Sequence, residues 1–201
     1  VYDDAYIDDL IATTRMLDQY GISTLVDAHQ DMENEKFQGQ GFPDWAVLDK
    51  DVPSFPQLGF PTNSLVNLGL LVSWDAFLDN EKGPGGVGLQ DRYAAMWAHV
   101  AQRFQGVPGV LGWDIMNEPM AGSKWGECLD WQNRCPQVVA KLQQMHEKAG
   151  KAIRAVTDDG VVMYEPIALI TLGAPALTGA PGVKNQALSY HLYCPFITLF
   201  N

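Results

Sequence analysis

Apolar residues recur every three or four positions in three stretches of the chain, and this spacing predicts three amphipathic helices. The first follows the acidic residues Asp3 and Asp4, which suit the positive end of a helix dipole, and it stops at Gly21. The other two predicted helices span residues 93–104 and 136–156. Each apolar stripe needs a sheet or another helix to pack against.

Short apolar runs, several of them rich in β-branched residues, alternate with the helices and predict buried strands. These strands cover residues 22–28, 110–116, 161–164 and 187–190. Each strand is followed by polar residues that a core would exclude, and no glycine-rich phosphate-binding turn follows any of them. The alternation predicts an α/β fold, which fits half of a (β/α)8 TIM barrel better than a doubly wound sheet.

The stretch from residue 32 to residue 88 is rich in Gly, Pro, Asn and Asp and lacks strong periodicity. A segment of this length without regular structure is usually a functional loop, so we expect it to cover a site. A short helix is predicted within it over residues 64–78, although Gly69 weakens that pattern.

Composition and charge limit the classes of partner. The chain has 201 residues and a formal net charge of -11, and its longest apolar run is too short to span a bilayer. Such an acidic chain does not suit nucleic acid or anionic lipid, so we expect a neutral substrate and at most transient contact with a membrane surface. The length suits one domain, whereas a complete eight-stranded barrel needs roughly 250 residues.

Three cysteines allow one pair and one remaining thiol. Cys128 and Cys135 lie close together in a polar, Trp-rich stretch that suits a loop disulfide, which leaves Cys194 free. Three reduced thiols are the alternative. A zinc site is disfavoured because the sequence lacks a second CxxC-type or histidine pair.

Glu118 is the leading candidate for a catalytic acid. It follows a predicted strand, between Asn117, whose amide can bond a sugar 2-hydroxyl, and Pro119, which restricts the backbone before it. Glycoside hydrolysis needs one carboxylic acid to protonate the leaving oxygen and a second carboxylate to attack or to direct water. Taken alone, the motif is also explained by a helix-starting turn. Glu165 ends the next strand, so we assign it to a subsite or to the structure.

Two other strand ends carry polar side chains two residues apart, which places each pair on one face. His29 and Asp31 can bind sugar hydroxyls, while His191 and Tyr193 can contact the sugar or orient a catalytic carboxylate. The competing explanations are hydrogen bonds within the strand ends and a zinc site built from His29, Asp31 and His191. No second histidine on the first strand completes the usual zinc set, which disfavours that site.

Four tryptophans in or near loops can stack on sugar rings or contact a lipid, with local packing as the alternative for each: Trp45, Trp74, Trp125 and Trp131. Trp97 and Trp113 are expected in the core. His99 and His146 lie off the apolar stripes of their helices and are expected to face solvent.

Four motifs together carry a family resemblance. They are His29-Gln30-Asp31, Phe42-Pro43-Asp44-Trp45-Ala46, Gly112-Trp113-Asp114-Ile115-Met116-Asn117-Glu118-Pro119 and Ser189-Tyr190-His191-Leu192-Tyr193. In this order they resemble the endoglycoceramidase branch of glycoside hydrolase family five, over essentially the whole chain. The resemblance implies a retaining endo-hydrolase that cuts the bond between an oligosaccharide and ceramide. It also implies that Glu118 is the acid/base and that no metal or organic cofactor takes part.

The same resemblance implies roles for individual side chains. Asn117 would hold the 2-hydroxyl, and His29, Asp31 and Tyr193 match the family's sugar-binding and nucleophile-orienting positions. Trp74 matches by spacing alone.

One departure from the family pattern concerns the attacking carboxylate. The family's nucleophilic Glu ends the seventh strand, whereas this chain stops at Asn201, just past the sixth, and the first two strands are missing as well. The resemblance thus implies that residues 1–201 are strands three to six of a single catalytic domain. Made alone, the segment is expected to be inactive and poorly folded, because open sheet edges leave backbone groups unpaired.

The expected setting is a monomeric, secreted or extracytoplasmic protein, with a lysosome-like compartment as an alternative. The chain opens at Val1 without a leader, so a signal peptide is expected to have been removed or to lie outside residues 1–201. Three other functions remain open. They are hydrolysis of another β-glucoside, such as glucosylceramide, steryl glucoside or glucan; non-catalytic carbohydrate or glycolipid binding; and metal-dependent hydrolysis.

Overall fold

The computed structural model describes residues 2–193, and its four strands form one parallel sheet in sequence order. The strands are β1 (Thr24–Asp27), β2 (Val110–Asp114), β3 (Val161–Tyr164) and β4 (Gln186–Leu188). Parallel neighbours that follow one another along the chain are the arrangement of a (β/α)8 barrel. The predicted α/β class and its incomplete barrel are therefore confirmed.

Helices connect the strands and cover the sheet. They are α1 (Asp4–Asp18), α2 (Asn63–Val66), α3 (Leu68–Leu78), α4 (Leu89–Arg103), α5 (Trp125–Cys128) and α6 (Pro136–Arg154). Short 3-10 turns occupy Glu35–Phe37, Asp44–Ala46, Pro84–Gly86, Gly122–Lys124 and Ala168–Leu172. The three helices predicted from periodicity correspond to α1, α4 and α6, and α4 packs along α6. No helix in the described part of the chain is long and apolar enough to cross a membrane.

The strand register aligns the carboxyl ends of the strands. Asp114 of β2 pairs with both Asp27 of β1 and Met163 of β3, and Tyr164 pairs with Leu188 of β4. Gly112 permits the close approach of β2 and β3, because a Cβ atom there would lie 2.2 Å from the Val161 carbonyl oxygen. Polar residues that follow each strand therefore meet at one edge of the sheet.

The core between the sheet and its helices is strongly aromatic. Trp113 of β2 meets Trp97 of α4 and Phe104 edge to face, with ring centroids 6.4 Å and 5.9 Å away. The indole N–H of Trp97 donates to the Ile115 carbonyl oxygen at 3.0 Å, and that of Trp113 donates to Asp159 at 3.1 Å. Both tryptophans are buried, as predicted.

Residues 32–88 are more ordered than the sequence pattern predicted. Helix α3 lies within them, and eight of its eleven residues are buried: Gly69, Leu70, Leu71, Ser73, Trp74, Ala76, Phe77 and Leu78. A helix that is buried almost all round has no polar face, so its sequence lacks the periodicity that identifies surface helices.

The two helical histidines are less exposed than expected. His146 is fully buried on α6, and its Nδ1 bonds the Gly179 carbonyl oxygen at 3.0 Å. Burial lowers the pKa of His146 to about 4, so the ring is neutral near pH 7. The prediction that it faces solvent is wrong, because the segment that joins β3 to β4 covers that side of α6. His99 is partly buried, stacked on Tyr2 and bonded to Asp4 at 2.6 Å.

Candidate active site

The carboxyl ends of the four strands present the predicted site residues together. His29 and Asp31 follow β1, Asn117 and Glu118 follow β2, Glu165 follows β3, and His191 and Tyr193 follow β4. In a parallel α/β sheet this edge is where functional side chains collect. The geometry around Glu118 shows which of them act together.

The carboxyl group of Glu118 is held by two side chains from the segment that follows β4. His191 Nδ1 lies 2.8 Å from Oε1 of Glu118, and the Tyr193 hydroxyl donates to the same oxygen at 3.0 Å. Within residues 2–193, no group is hydrogen-bonded to the other oxygen, Oε2. The side chain of Glu118 is 20% exposed, so this oxygen is available to a ligand atom.

The backbone of Glu118 is in the left-handed region, with φ at 44°. Residues with a Cβ atom rarely adopt this backbone conformation, which costs about 1–2 kcal/mol. The Glu118 N–H donates to Oε2 of Glu165 at 2.9 Å, and the Glu118 carbonyl oxygen accepts from Nε2 of Gln30 at 3.0 Å. Pro119 alone would favour an extended backbone at Glu118.

Gln30 is buried and points away from its neighbours His29 and Asp31, as the alternation along the chain predicted. Its Nε2 also donates to the Asn117 carbonyl oxygen at 2.8 Å. In return, Nδ2 of Asn117 donates to the Gln30 carbonyl oxygen at 2.9 Å and lies 3.4 Å from Nε2 of His29. The second proton of that amide is thus the one that faces the His29 side of the site.

His29 lies between two carboxylates. Its Nδ1 is 2.9 Å from Oδ2 of Asp27, and its Nε2 is 3.2 Å from Oδ2 of Asp31. Partial burial lowers the pKa of His29, but the two carboxylates outweigh this effect and leave the pKa above its ordinary value. When the ring is protonated, each nitrogen can donate to one of the two carboxylates.

Two further carboxyl groups lie beneath the site. Asp114 is buried, and burial together with the charges of Glu165 and Asp27 raises the pKa of Asp114 to about 7. Burial likewise raises the pKa of Glu165, although the N–H of Glu118 and the nearby His191 oppose the rise. Neither group is open to solvent, since Glu165 is 2% exposed and Asp114 is 4% exposed.

Tyr193 and His191, which follow β4, have raised pKa values that suit hydrogen-bond donation. Burial and the charge of Glu118 raise the pKa of Tyr193 to about 12, so its hydroxyl remains a donor near neutral pH. Burial lowers the pKa of His191, but Glu118 and Glu165 outweigh it and the pKa is raised. Its Nε2 lies 3.5 Å from Oε1 of Glu165.

The structure corrects the assignment of Trp74. This side chain is on α3 and is 0% exposed, with Phe42 and Phe77 packed against it at 5.9 Å and 6.0 Å. A ring enclosed in this way has no face open to a sugar, so the proposed substrate contact by Trp74 is wrong for this structure. A short helix was predicted over residues 64–78, but Trp74 was nevertheless assigned to the loop tryptophans, because the burial of that helix was not evident from the sequence.

The other loop tryptophans divide between exposure and packing. Trp45 and Trp131 are exposed, and the guanidinium of Arg92 lies 5.3 Å from the centre of the Trp45 ring. Trp125 packs against the core.

Cys128 and Cys135 form a disulfide with an S–S distance of 2.08 Å, as predicted. Cys194 lies outside the described residues.

The site thus unites Glu118, Asn117, His29, Asp31, His191 and Tyr193 from the sequence prediction. It also contains Gln30, Asp27 and Asp114, which the sequence analysis did not select. The alternation Asp27-His29-Asp31 was visible as a signal, whereas the burial of Gln30 and Asp114 was not. Across the residues that the structure describes, no three His, Cys, Asp or Glu side chains are arranged so that they could hold a metal ion.

Comparison with known proteins gives one family match. The model of the cellulase family, glycosyl hydrolase family 5, matches residues 1–198. Among curated relatives, endoglycoceramidase I of Rhodococcus hoagii (strain 103S) is 31% identical over 198 residues, which are 96% of this chain and 39% of that protein. Endoglycoceramidase of Cyanea nozakii is 28% identical over 218 residues, with coverage of 96% and 42%. The chain spans about two fifths of the length of these relatives.

Solved structures give the same result. Endo-glycoceramidase II from Rhodococcus sp., in a five-membered iminocyclitol complex, is similar with a TM-score of 0.80 and 29% identity, over 96% of this chain and 44% of that chain. The same enzyme in a ganglioside GM3 complex gives a TM-score of 0.79 and 28% identity, with equal coverage.

Proposed function

Because this chain belongs to glycosyl hydrolase family 5, we propose that it supplies the acid/base half of a retaining glycosidase active site. The bond cleaved is the β-glycosidic bond between the oligosaccharide and the ceramide of a glycosphingolipid. One observation carries the proposal: Glu118 is fixed through one carboxyl oxygen by His191 and Tyr193, and its other oxygen is left available at the carboxyl edge of the sheet.

The proposed chemistry is a double displacement. Glu118, protonated, gives its proton to the bridging oxygen as the bond to the anomeric carbon breaks, and ceramide leaves with a hydroxyl group. A second carboxylate bonds the anomeric carbon at the same time. Glu118, now ionised, takes a proton from water, whose oxygen displaces that carboxylate and releases the oligosaccharide. Carboxyl groups perform every step, so the proposal includes no metal or organic cofactor.

The attacking carboxylate is proposed to lie outside residues 1–201. Glu165 and Asp114 are the nearby buried candidates, but each is at most 4% exposed. One oxygen of Glu165 is also bonded to the Glu118 N–H. A nucleophile must reach the anomeric carbon from the side opposite the leaving group, which neither buried group can do.

Glycolipid substrates are proposed from the names of the similar proteins and from one surface feature. Residues 52–74 contain no charged side chain, although the chain carries a net charge of -11. Phe55, Leu58 and Phe60 in this segment are 67%, 63% and 63% exposed. Exposed apolar side chains without charge suit transient contact with a lipid surface. The disulfide supports a secreted or extracytoplasmic location, and a monomer is proposed.

The test is cleavage of a fluorescent ganglioside by the complete protein, meaning residues 1–201 with any sequence that flanks them. The expected product is the intact oligosaccharide, and Glu118→Gln is expected to slow its release by about a hundredfold or more. Glu127→Gln, an exposed carboxyl group on α5, is the matched control and is expected to leave the rate unchanged. Release of glucose from glucosylceramide without ganglioside cleavage would replace this substrate with another β-glucoside.

Non-catalytic glycolipid binding is a second candidate, because the described residues contain no carboxylate positioned to attack. Under that alternative the complete protein binds ganglioside vesicles but releases no sugar. Equal turnover in the presence and absence of a chelator would argue against a metal-dependent hydrolase.

A further inference from the structure

We propose that Glu165 and Gln30 are positioning residues that hold the two peptide groups flanking Glu118. Gln30 Nε2 donates to the carbonyl oxygens of both Asn117 and Glu118, at 2.8 Å and 3.0 Å. Glu165 Oε2 accepts the N–H of Glu118 at 2.9 Å. The orientation of the two peptide planes about a Cα atom sets its φ and ψ. These bonds therefore determine where the Glu118 carboxyl group points.

We call Glu165 and Gln30 the clamp. The need for it follows from the backbone conformation of Glu118. Its φ of 44° is unfavourable for a residue with a Cβ atom, so a competing extended conformation is available to an unrestrained chain. An extended backbone would turn the side chain away from His191 and Tyr193. The catalytic role of the clamp rests on the proposed function, in which Glu118 donates a proton and has to remain within reach of the bridging oxygen.

Glu165 is more than a hydrogen-bond acceptor. It is 2% exposed, and a buried carboxylate costs free energy that a neutral acceptor in the same place would avoid. Its other oxygen, Oε1, lies 3.5 Å from Nε2 of His191, the ring that bonds the Glu118 carboxyl group through Nδ1. One carboxylate thus contacts both the backbone of the acid/base and the imidazole that holds its side chain.

The three hydrogen bonds of Gln30 restrict which side chain can occupy position 30. Its amide donates the two bonds described above, and its Oε1 accepts the N–H of Glu33 at 3.1 Å. Only a side chain that ends in both a donor and an acceptor makes all three bonds. A glutamate at position 30 would instead place a carboxylate beside two carbonyl oxygens. An apolar residue would leave those oxygens without their buried donor.

The experiment measures amide hydrogen exchange at Glu118 in the complete protein. Glu165→Leu removes the acceptor and is expected to accelerate exchange by about tenfold or more, the range for hydrogen bonds to charged groups. Glu165→Gln retains an acceptor oxygen and is expected to preserve most of the protection. Glu127→Gln is the control. Protection elsewhere in the sheet reports whether each variant is folded.

Two further readouts separate positioning from general stability. In Glu165→Gln the pKa of the His191 ring is expected to fall, because Glu165 contributes to the rise while Glu118, Asp114 and Tyr193, which also face that ring, are unchanged. In Glu165→Leu and Gln30→Glu, kcat for glycolipid is expected to fall by about tenfold or more with KM within about twofold of the parent value.

Unchanged exchange at Glu118 in folded Glu165→Leu would overturn the proposal, as would unchanged kcat in both Glu165→Leu and Gln30→Glu. If the complete protein cleaves no glycoside, the proposed function fails. Hydrogen exchange and the His191 titration still decide whether the clamp exists.

Discussion

Glu33 provides a test of the structure through the pH dependence of stability. Its side chain is fully buried, and neither carboxyl oxygen has a hydrogen-bond partner among the residues that the structure describes. Burial raises the pKa of Glu33 from 4.5 to about 8, with the nearby Ser73 hydroxyl offsetting part of the rise and Asp75 adding to it. The folded protein therefore keeps this proton over a pH range in which the unfolded chain releases it.

The sign and size of the effect follow from linkage. Between pH 4.5 and about 8 the folded state binds more protons at this site than the unfolded state, so stability falls as the pH rises. At about 1.4 kcal/mol per pKa unit, the full difference is about 5 kcal/mol. About 2.5 kcal/mol of it develops between pH 5 and pH 7. Glu33→Gln removes the titration, and any constant cost of the new amide is the same at each pH.

The assay is urea-induced unfolding of the complete protein and of Glu33→Gln at several pH values. The free energy of unfolding of the variant is expected to rise relative to the parent by about 2.5 kcal/mol from pH 5 to pH 7. Glu35→Gln, an exposed neighbour, is the control and should follow the parent at each pH. Parallel pH profiles for the parent and Glu33→Gln would show that this carboxyl group is solvated, contrary to the structure.

Three other predictions address the fold. Because burial holds the pKa of His146 near 4 instead of 6.5, about 3 kcal/mol of stability is lost as the pH falls between those values; His146→Asn should abolish that loss in urea titrations, whereas His99→Asn should not. Cys135→Ser should lower the free energy of unfolding by about 2 kcal/mol, the loop-closure contribution expected for a separation of 7 residues, and an unchanged urea midpoint would refute it. Residues 1–201 made alone should show neither a cooperative melting transition nor ganglioside cleavage, because β1 and β4 expose unpaired sheet edges; observing both would contradict this expectation.

Local patterns in the sequence were sufficient to predict the main helices, the strands and their order. Helices α1, α4 and α6 have one polar and one apolar face, and the strands are short apolar runs followed by polar residues. The sequence therefore predicted both kinds of element and their alternation. Helix α3 was underestimated because its surroundings are apolar on almost every side. The burial of His146 was missed for a different reason: the covering segment contacts it 33 residues further along the chain.

The site was predictable where polar residues directly follow a strand, and not where a residue's role depends on contacts with distant parts of the chain. Glu118 and His191 are polar residues that follow apolar strands. Polar side chains are unfavourable in a core, so their position indicated a functional site. Gln30 occupies an equivalent position in the sequence, but its role depends on carbonyl groups 87 and 88 residues away. The contact between Glu165 and Glu118 likewise depends on strand register. Position along the chain alone could not show whether Glu165 and Gln30 are buried positioning residues or substrate-binding residues.

The most direct test of the central claim is the behaviour of Glu118→Ala in the complete protein on an aryl β-glycoside with a good leaving group, with and without sodium azide. Without its acid/base, the variant should form the glycosyl-enzyme but turn over slowly, and azide should restore turnover and yield a glycosyl azide of retained β configuration. Glu127→Ala should give no such product. The account would be contradicted if Glu118→Ala cleaved ganglioside at the rate of the parent protein. A glycosyl azide of inverted configuration would contradict it as well.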